Sequence, residues 1–146
     1  MTMHDLDRQQ SAAAAQPAFA HFLGFRLISA NPDEVMAVME ATAELSNRNG
    51  VLHGGAILGF ADNLGGTAAT INLGPGQATT TMESKTNFLR PIRIGDVARG
   101  RCVALHKGRT TMIWQSTITR GDGKVAAIVT QTQMVMEWRE RAATGA

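Results

Sequence analysis

The chain has 146 residues, 44% of them hydrophobic, and a formal net charge of +2. That is enough chain for one domain with a buried core and too little for two comfortable ones. A single cysteine excludes an internal disulfide, and the four histidines, at positions 4, 21, 53 and 106, lack metal-ligand spacing.

Aromatic residues are scarce and tyrosine is absent, so the core has to be built from Ala, Val, Ile, Leu and the eight Met residues. No uninterrupted apolar run reaches the roughly 20 residues that span a bilayer. The acidic and polar start (Asp5, Asp7, Gln9, Gln10, Ser11) lacks the basic and then apolar order of a secretory signal, so cytosolic residence is expected.

In chain order, residues 1–12 read as a frayed end, and Ala12–Leu23, with Phe19, Phe22 and Leu23 clustered, as a short helix stopped by Gly24. Phe25–Ser29 and Glu34–Glu44 read as two strands around the turn Asn31-Pro32-Asp33. From His53 to about Asn72 the apolar residues Ile57, Phe60, Ala61, Leu64, Ala68 and Ile71 recur at helical spacing until Gly74-Pro75-Gly76 ends the run. Four further strands follow at Ala78–Phe88, Asp96–His106, Arg109–Arg120 and Lys124–Trp138. Lys107-Gly108 and Asp122-Gly123 supply turns in which glycine accepts positive φ. The layout predicts an α+β fold, an antiparallel sheet wrapped around a long central helix. It divides into a tail and short helix over 1–22, one domain over 23–140 and a tail over 141–146.

The central helix carries Gly54, Gly55, Gly59, Gly65 and Gly66, although an interior glycine costs about 1 kcal/mol relative to alanine. Helical projection places Gly55, Gly59, Asp62, Gly66 and Ala69 on one stripe. Close packing would explain the glycines, but not a carboxylate among them, because buried charge is disfavoured unless paired or used. The helix start adds the complementary charge. Its first amides lack intrahelical acceptors and carry the positive end of the dipole, so a substrate oxygen can approach Gly54 and Gly55 as at an oxyanion site. His53 can orient the same carbonyl or cap the helix. Asn47 can position water or substrate or simply make a turn with Arg48-Asn49-Gly50.

Asp62 lies eight residues from Gly54, about 12 Å of helical rise, too far to meet one reacting carbon from the same helix. The oxyanion donor and the carboxylate therefore have to come from two copies, which predicts a symmetric dimer with antiparallel helices. Seven basic residues, Lys85, Arg90, Arg93, Arg99, Arg101, Lys107 and Arg109, fall in one tract opposed only by Asp96. They make either a solvated face or a site for a phosphorylated small molecule. Without interleaved aromatics, nucleic acid is the poorer partner.

Asn47, Gly50, His53, Gly54, Gly55 and Asp62 form the pattern N-x-x-G-x-x-H-G-G-x6-D. With Phe88-Leu89-Arg90-Pro91 and Gly95-Asp96, this resembles the hotdog-fold acyl-CoA thioesterases, in the PaaI-like branch of the 4-hydroxybenzoyl-CoA thioesterase superfamily, over roughly Leu23–Trp138. The resemblance implies a helix wrapped by sheet, paired protomers that form a homodimer and further a homotetramer, and hydrolysis of an aryl or aliphatic acyl-CoA without metal or separate cofactor. It makes Asp62 the nucleophile or general base and Gly54 the amide that polarises the carbonyl, supported by His53 and Gly55, with Asn47 placing water or thioester. It also implies a Ser or Thr beside the carboxylate. Counting back from Pro91 favours Thr81 and forward from Asp62 favours Thr80; Thr81 is taken. Arg90, Arg93, Lys107 and Arg109 are its candidates for the CoA phosphates. A hotdog dehydratase needs a differently spaced His and carboxylate. A non-catalytic acyl-CoA binder has no use for both Asp62 and Asn47.

Overall fold

The computed structural model of the chain describes residues 2–140. Helices α1 (Met3–Ala14) and α2 (Ala18–Leu23) precede strands β1 (Arg26–Asn31) and β2 (Glu34–Glu40). Helix α3 (Gly54–Ile71) follows, and then strands β3 (Gln77–Phe88), β4 (Val97–Lys107), β5 (Thr111–Thr119) and β6 (Val125–Glu137). The strands make one sheet in the order β1-β2-β4-β5-β6-β3, and every pairing is antiparallel. The β4-β5-β6 meander thus fills the space between β2 and β3 and leaves β3 on an edge.

Hydrophobic burial places α3 against this sheet. Phe60, Ala61, Leu64 and Ala68 are fully buried, as are the inward residues Val35 and Met39 of β2, Ala98 and Cys102 of β4, Trp114 and Ile118 of β5, and Val129 of β6. Strand β5 alternates buried and half-buried residues along its whole length, the period-2 signature of one face turned to a core. Each large side chain so enclosed contributes about 1.5–3 kcal/mol. Close approach of helix to sheet depends on Gly100 in β4, where a Cβ would collide with Leu64 Cδ1 and stand 2.9 Å from Phe60 Cε1.

The helix start is held by His53. Its backbone amide bonds Leu45 O at 2.8 Å, and its Nδ1 accepts from Gly55 N–H at 2.8 Å as the N-cap. The preceding loop is closed by Asn47, whose Oδ1 accepts from the amides of Asn49 (2.9 Å) and Val51 (3.3 Å), and by Gly50 at φ 72°.

Several expectations need correction. Residues 2–12 are not frayed: Thr2 and Asp5 form a capping box, and α1 begins at Met3. Pro17, which lacks an N–H, separates α1 from α2 where one helix over 12–23 was expected. Strand β2 stops at Glu40, because Ala43–Leu45 turn into a 3-10 helix. Gly123 takes φ 80°, whereas Gly108 does not adopt positive φ; a Cβ there would lie 2.9 Å from Thr111 O, so close backbone approach explains it. The expected tail over 141–146 lies outside the described residues. Among the described residues no helix is long and apolar enough to cross a membrane.

Gly100→Ala should overpack the α3–β4 contact and lower stability by about 1–3 kcal/mol in thermal or denaturant unfolding. His53→Ala should remove the helix cap at about 1 kcal/mol; an unchanged unfolding midpoint would show that the cap contributes nothing.

Candidate active site

Asp62 sits midway along α3 and is exposed, in contrast to Phe60, Ala61 and Leu64 around it. The stripe expected from projection is only partly open. Ala69 is buried in the core, and a Cβ on Gly59 would stand 2.9 Å from the Phe19 ring of α2. Gly66 has open space where a Cβ would be.

Thr81 Oγ1 donates to Asp62 Oδ1 at 2.7 Å. Strand geometry decides between the neighbouring threonines: Thr79 and Thr81 share one face of β3, and the intervening Thr80 is turned to the other. Behind Thr81 stands a buried polar layer from β6. Gln133 Nε2 donates to Thr81 Oγ1 at 2.8 Å, and Gln133 Oε1 accepts from Thr79 Oγ1 at 3.0 Å. Gln131 brings its Nε2 to 3.5 Å from both Asp62 O and Oδ1, the far limit of a hydrogen bond. Gly65 makes room for this amide, since a Cβ there would collide with Gln131 Cδ.

Both glutamines are 1% exposed. Neither was singled out from the sequence. The signal was present: Gln131 and Gln133 have the parity of the inward Val129, so two amides stand at core positions of an otherwise regular strand.

A cavity of about 350 Å³ opens beside this cluster, lined by Gln16, Asn63, Gly66, Thr79, Thr81 and Gln133 among others. Gln16, from the α1–α2 link, closes one wall by accepting from Asn63 Nδ2 at 2.7 Å.

At the other end of α3 an open cleft of about 320 Å³ is lined by Asn47, Gly54, Ile57, Phe88 and Arg90 among others. The Gly54 amide has no acceptor among the described residues. A Cβ on Gly54 would approach Phe88 Cζ to 3.2 Å, so glycine lets the ring rest against the helix start. Gly55 differs from its expected role: its N–H is already taken by His53 Nδ1, which leaves Gly54 as the free donor. Accepting through Nδ1 also fixes the neutral His53 tautomer, with the proton on Nε2. Asn47 spends its Oδ1 on the turn and keeps its Nδ2 amide, which has no acceptor among the described residues.

The basic tract does not converge within one protomer. Arg90 lies at the Gly54 end, where Nη1 bonds Val125 O at 2.8 Å. Arg93 lines a separate cleft with Asp96, Arg120 and Asp122. Lys107 Nζ pairs with Asp33 at 2.5 Å and also bonds Pro32 O, which is itself bonded by Asn72 at the far end of α3. Arg109 follows in the same exposed hairpin, between β4 and β5. Asp96 is not the sole opposing charge either, since Glu34 pairs with Arg101. Burial pushes the Cys102 thiol up to about 11, which removes it as a nucleophile at neutral pH.

Residues 49–127 match the family model described as the thioesterase superfamily. A relative from Pseudomonas aeruginosa is 30% identical over 93% of this chain and 94% of its own length. Among solved structures, the E. coli PaaI protein from the phenylacetic acid degradation operon superimposes with a TM-score of 0.83 at 24% identity, covering 92% of this chain and 96% of that one. A mutant thioesterase from P. aeruginosa has a TM-score of 0.80 at 26% identity, covering 93% and 96%. A Streptococcus mutans protein bound to acetyl-CoA has a TM-score of 0.73 at 27% identity, covering 80% and 91%. The sheet-wrapped helix, the motif that begins it and these similarities agree: the chain belongs to the thioesterase superfamily and is a thioester hydrolase of the hotdog fold.

Proposed function

We propose that the protein hydrolyses an aryl or short to medium aliphatic acyl-CoA thioester to the free acid and CoA, at sites shared between two protomers. The observation that carries this is the pairing on one helix of an unoccupied N-terminal amide, Gly54, with an exposed carboxylate, Asp62, that Thr81 holds at 2.7 Å. The similarity to a protein bound to acetyl-CoA supports a CoA ester as the substrate.

In this reaction the thioester carbonyl oxygen points at Gly54 N–H of one protomer, where the helix dipole adds to the hydrogen bond. Asp62 of the other protomer either attacks the carbonyl carbon, to give an acyl-enzyme anhydride that water then cleaves, or removes a proton from the attacking water. Either route breaks the carbon–sulfur bond, expels CoA thiolate and leaves the acyl group as a carboxylic acid. Asn47 Nδ2 orients the water or thioester, and His53 shapes the helix start. Arg90 and Arg93, near the Gly54 end, are assigned to the CoA phosphates, with Lys107 and Arg109 supplied from another protomer.

Asp62→Asn should keep the fold and lose about 10²–10⁴ in kcat, read as thiol release over a panel of short, medium and aryl CoA esters. Full activity would remove Asp62 from the mechanism. Tight CoA-ester binding by the unaltered protein without thiol release would identify a binding protein instead.

The shared site has its own test. Gly54→Pro deletes the oxyanion donor at the first helical position, where proline is tolerated once the exposed Phe88 ring gives way by a few tenths of an ångström, and His53 at ψ 136° already has the backbone that precedes proline. Gly54→Pro and Asp62→Asn chains, each inactive alone, should regain about a quarter of wild-type activity when mixed and re-associated, because half of the dimers then hold one intact site of two. No recovery in a verified heterodimer would place both groups in one chain.

A further inference from the structure

We propose that Gln133 is a positioning residue for Asp62, acting through Thr81; the proposal rests on the catalytic role given to Asp62 above. An ionised carboxylate only accepts hydrogen bonds, and a threonine hydroxyl has a single proton to give. The 2.7 Å contact between Thr81 Oγ1 and Asp62 Oδ1 therefore requires the Thr81 proton to lie toward Asp62. Thr81 could instead turn that proton toward an acceptor on its other side. What stands there is Gln133 Nε2, at 2.8 Å, which has no lone pair to receive it.

The amide oxygen is satisfied in the same orientation. Its Oε1 takes the Thr79 hydroxyl proton at 3.0 Å, so the chain runs in one direction, from Thr79 to Gln133 to Thr81 to Asp62. Gln133 is 1% exposed, so reversing its amide means rotating a buried side chain between Thr79 and Thr81.

The consequence falls on the two carboxylate oxygens. Oδ1 is tied to Thr81, whereas Oδ2 has no partner among the described residues. One oxygen is fixed and the other is left to attack or to take a proton, with the plane of the carboxylate set by a residue that never meets substrate. Because the chain begins on the inward faces of β3 and β6, the orientation is referred to the sheet rather than to a loop.

The experiment measures kcat and KM by thiol release for Gln133→Met, Gln133→Glu, Thr81→Val, Thr81→Ser and the double variant Gln133→Met/Thr81→Val, beside Asp62→Asn. Gln133→Glu keeps the size of the side chain but lacks the Nε2 donor. Both Gln133 variants should lower kcat about 10- to 100-fold with KM within about twofold, as for a carboxylate that is present but misaligned. Thr81→Ser should retain kcat, and the double variant should be no slower than Thr81→Val alone, because both changes break one chain. If the buried variants fail to fold, Thr79→Val disorients the Gln133 amide without altering it and should lower kcat non-additively with Thr81→Val. Wild-type kcat in a folded Gln133 variant, or losses that add to those of Thr81→Val, would overturn the positioning role while an inactive Asp62→Asn left the catalytic assignment standing. A fully active Asp62→Asn would overturn the assignment itself.

Discussion

The enclosure of α3 by the sheet is the constraint on which the rest depends. Phe60 and Leu64 seat against β4 only because Gly100 has no side chain, and the helix is thereby buried around most of its circumference. Few of its positions are left to meet a ligand. Asp62 is one of them, flanked by the half-buried Asn63 and Gly66. A carboxylate that would be costly on any other face of this helix is thus placed on its open side, in contact with solvent.

Burial also explains why the support beneath Asp62 is built from amides and hydroxyls. Charged groups in that layer would have to be desolvated, whereas Gln133, Thr79 and Thr81 satisfy one another within hydrogen-bond distance. The layer lies between β3, β6 and α3, all regular elements, so its geometry is inherited from backbone pairing. The glycines serve the same end by different means. Gly65 admits the Gln131 amide beneath the helix, Gly54 admits the Phe88 ring at its start, and Gly66 leaves room in the cavity beside Asp62.

Placing β3 on the sheet edge brings the site to that edge. This strand carries Thr79 and Thr81 toward the helix and ends at Phe88, beside Gly54, so one edge borders both the middle of α3, at Asp62, and its start. In the proposed dimer, two such helices run in opposite directions and each active site takes its oxyanion donor from one chain and its carboxylate from the other. An isolated protomer then holds two half-sites, about 12 Å apart along one helix. The split basic residues fit the same arrangement, since Arg90 and Lys107 lie at opposite ends of α3.

Much of this protein was legible in the sequence alone. Helical spacing of apolar residues from Ile57 to Ile71, bounded by His53-Gly54 and by Gly74-Pro75-Gly76, determined α3, and alternation with turn residues determined the strands, because both signals are local periodicities. The capping box at Thr2 and Asp5 was equally local, although the polar tail around it reads as frayed. What only the tertiary structure decided depends on which elements meet. Thr81 rather than Thr80 reaches Asp62 because strand parity is set against α3. His53 takes the Gly55 amide and leaves Gly54 free because the loop from Leu45 aims its imidazole at the helix start. Gln131 and Gln133 become the floor of the site because β6 pairs with β3, a contact between residues about fifty positions apart that no window of the sequence contains.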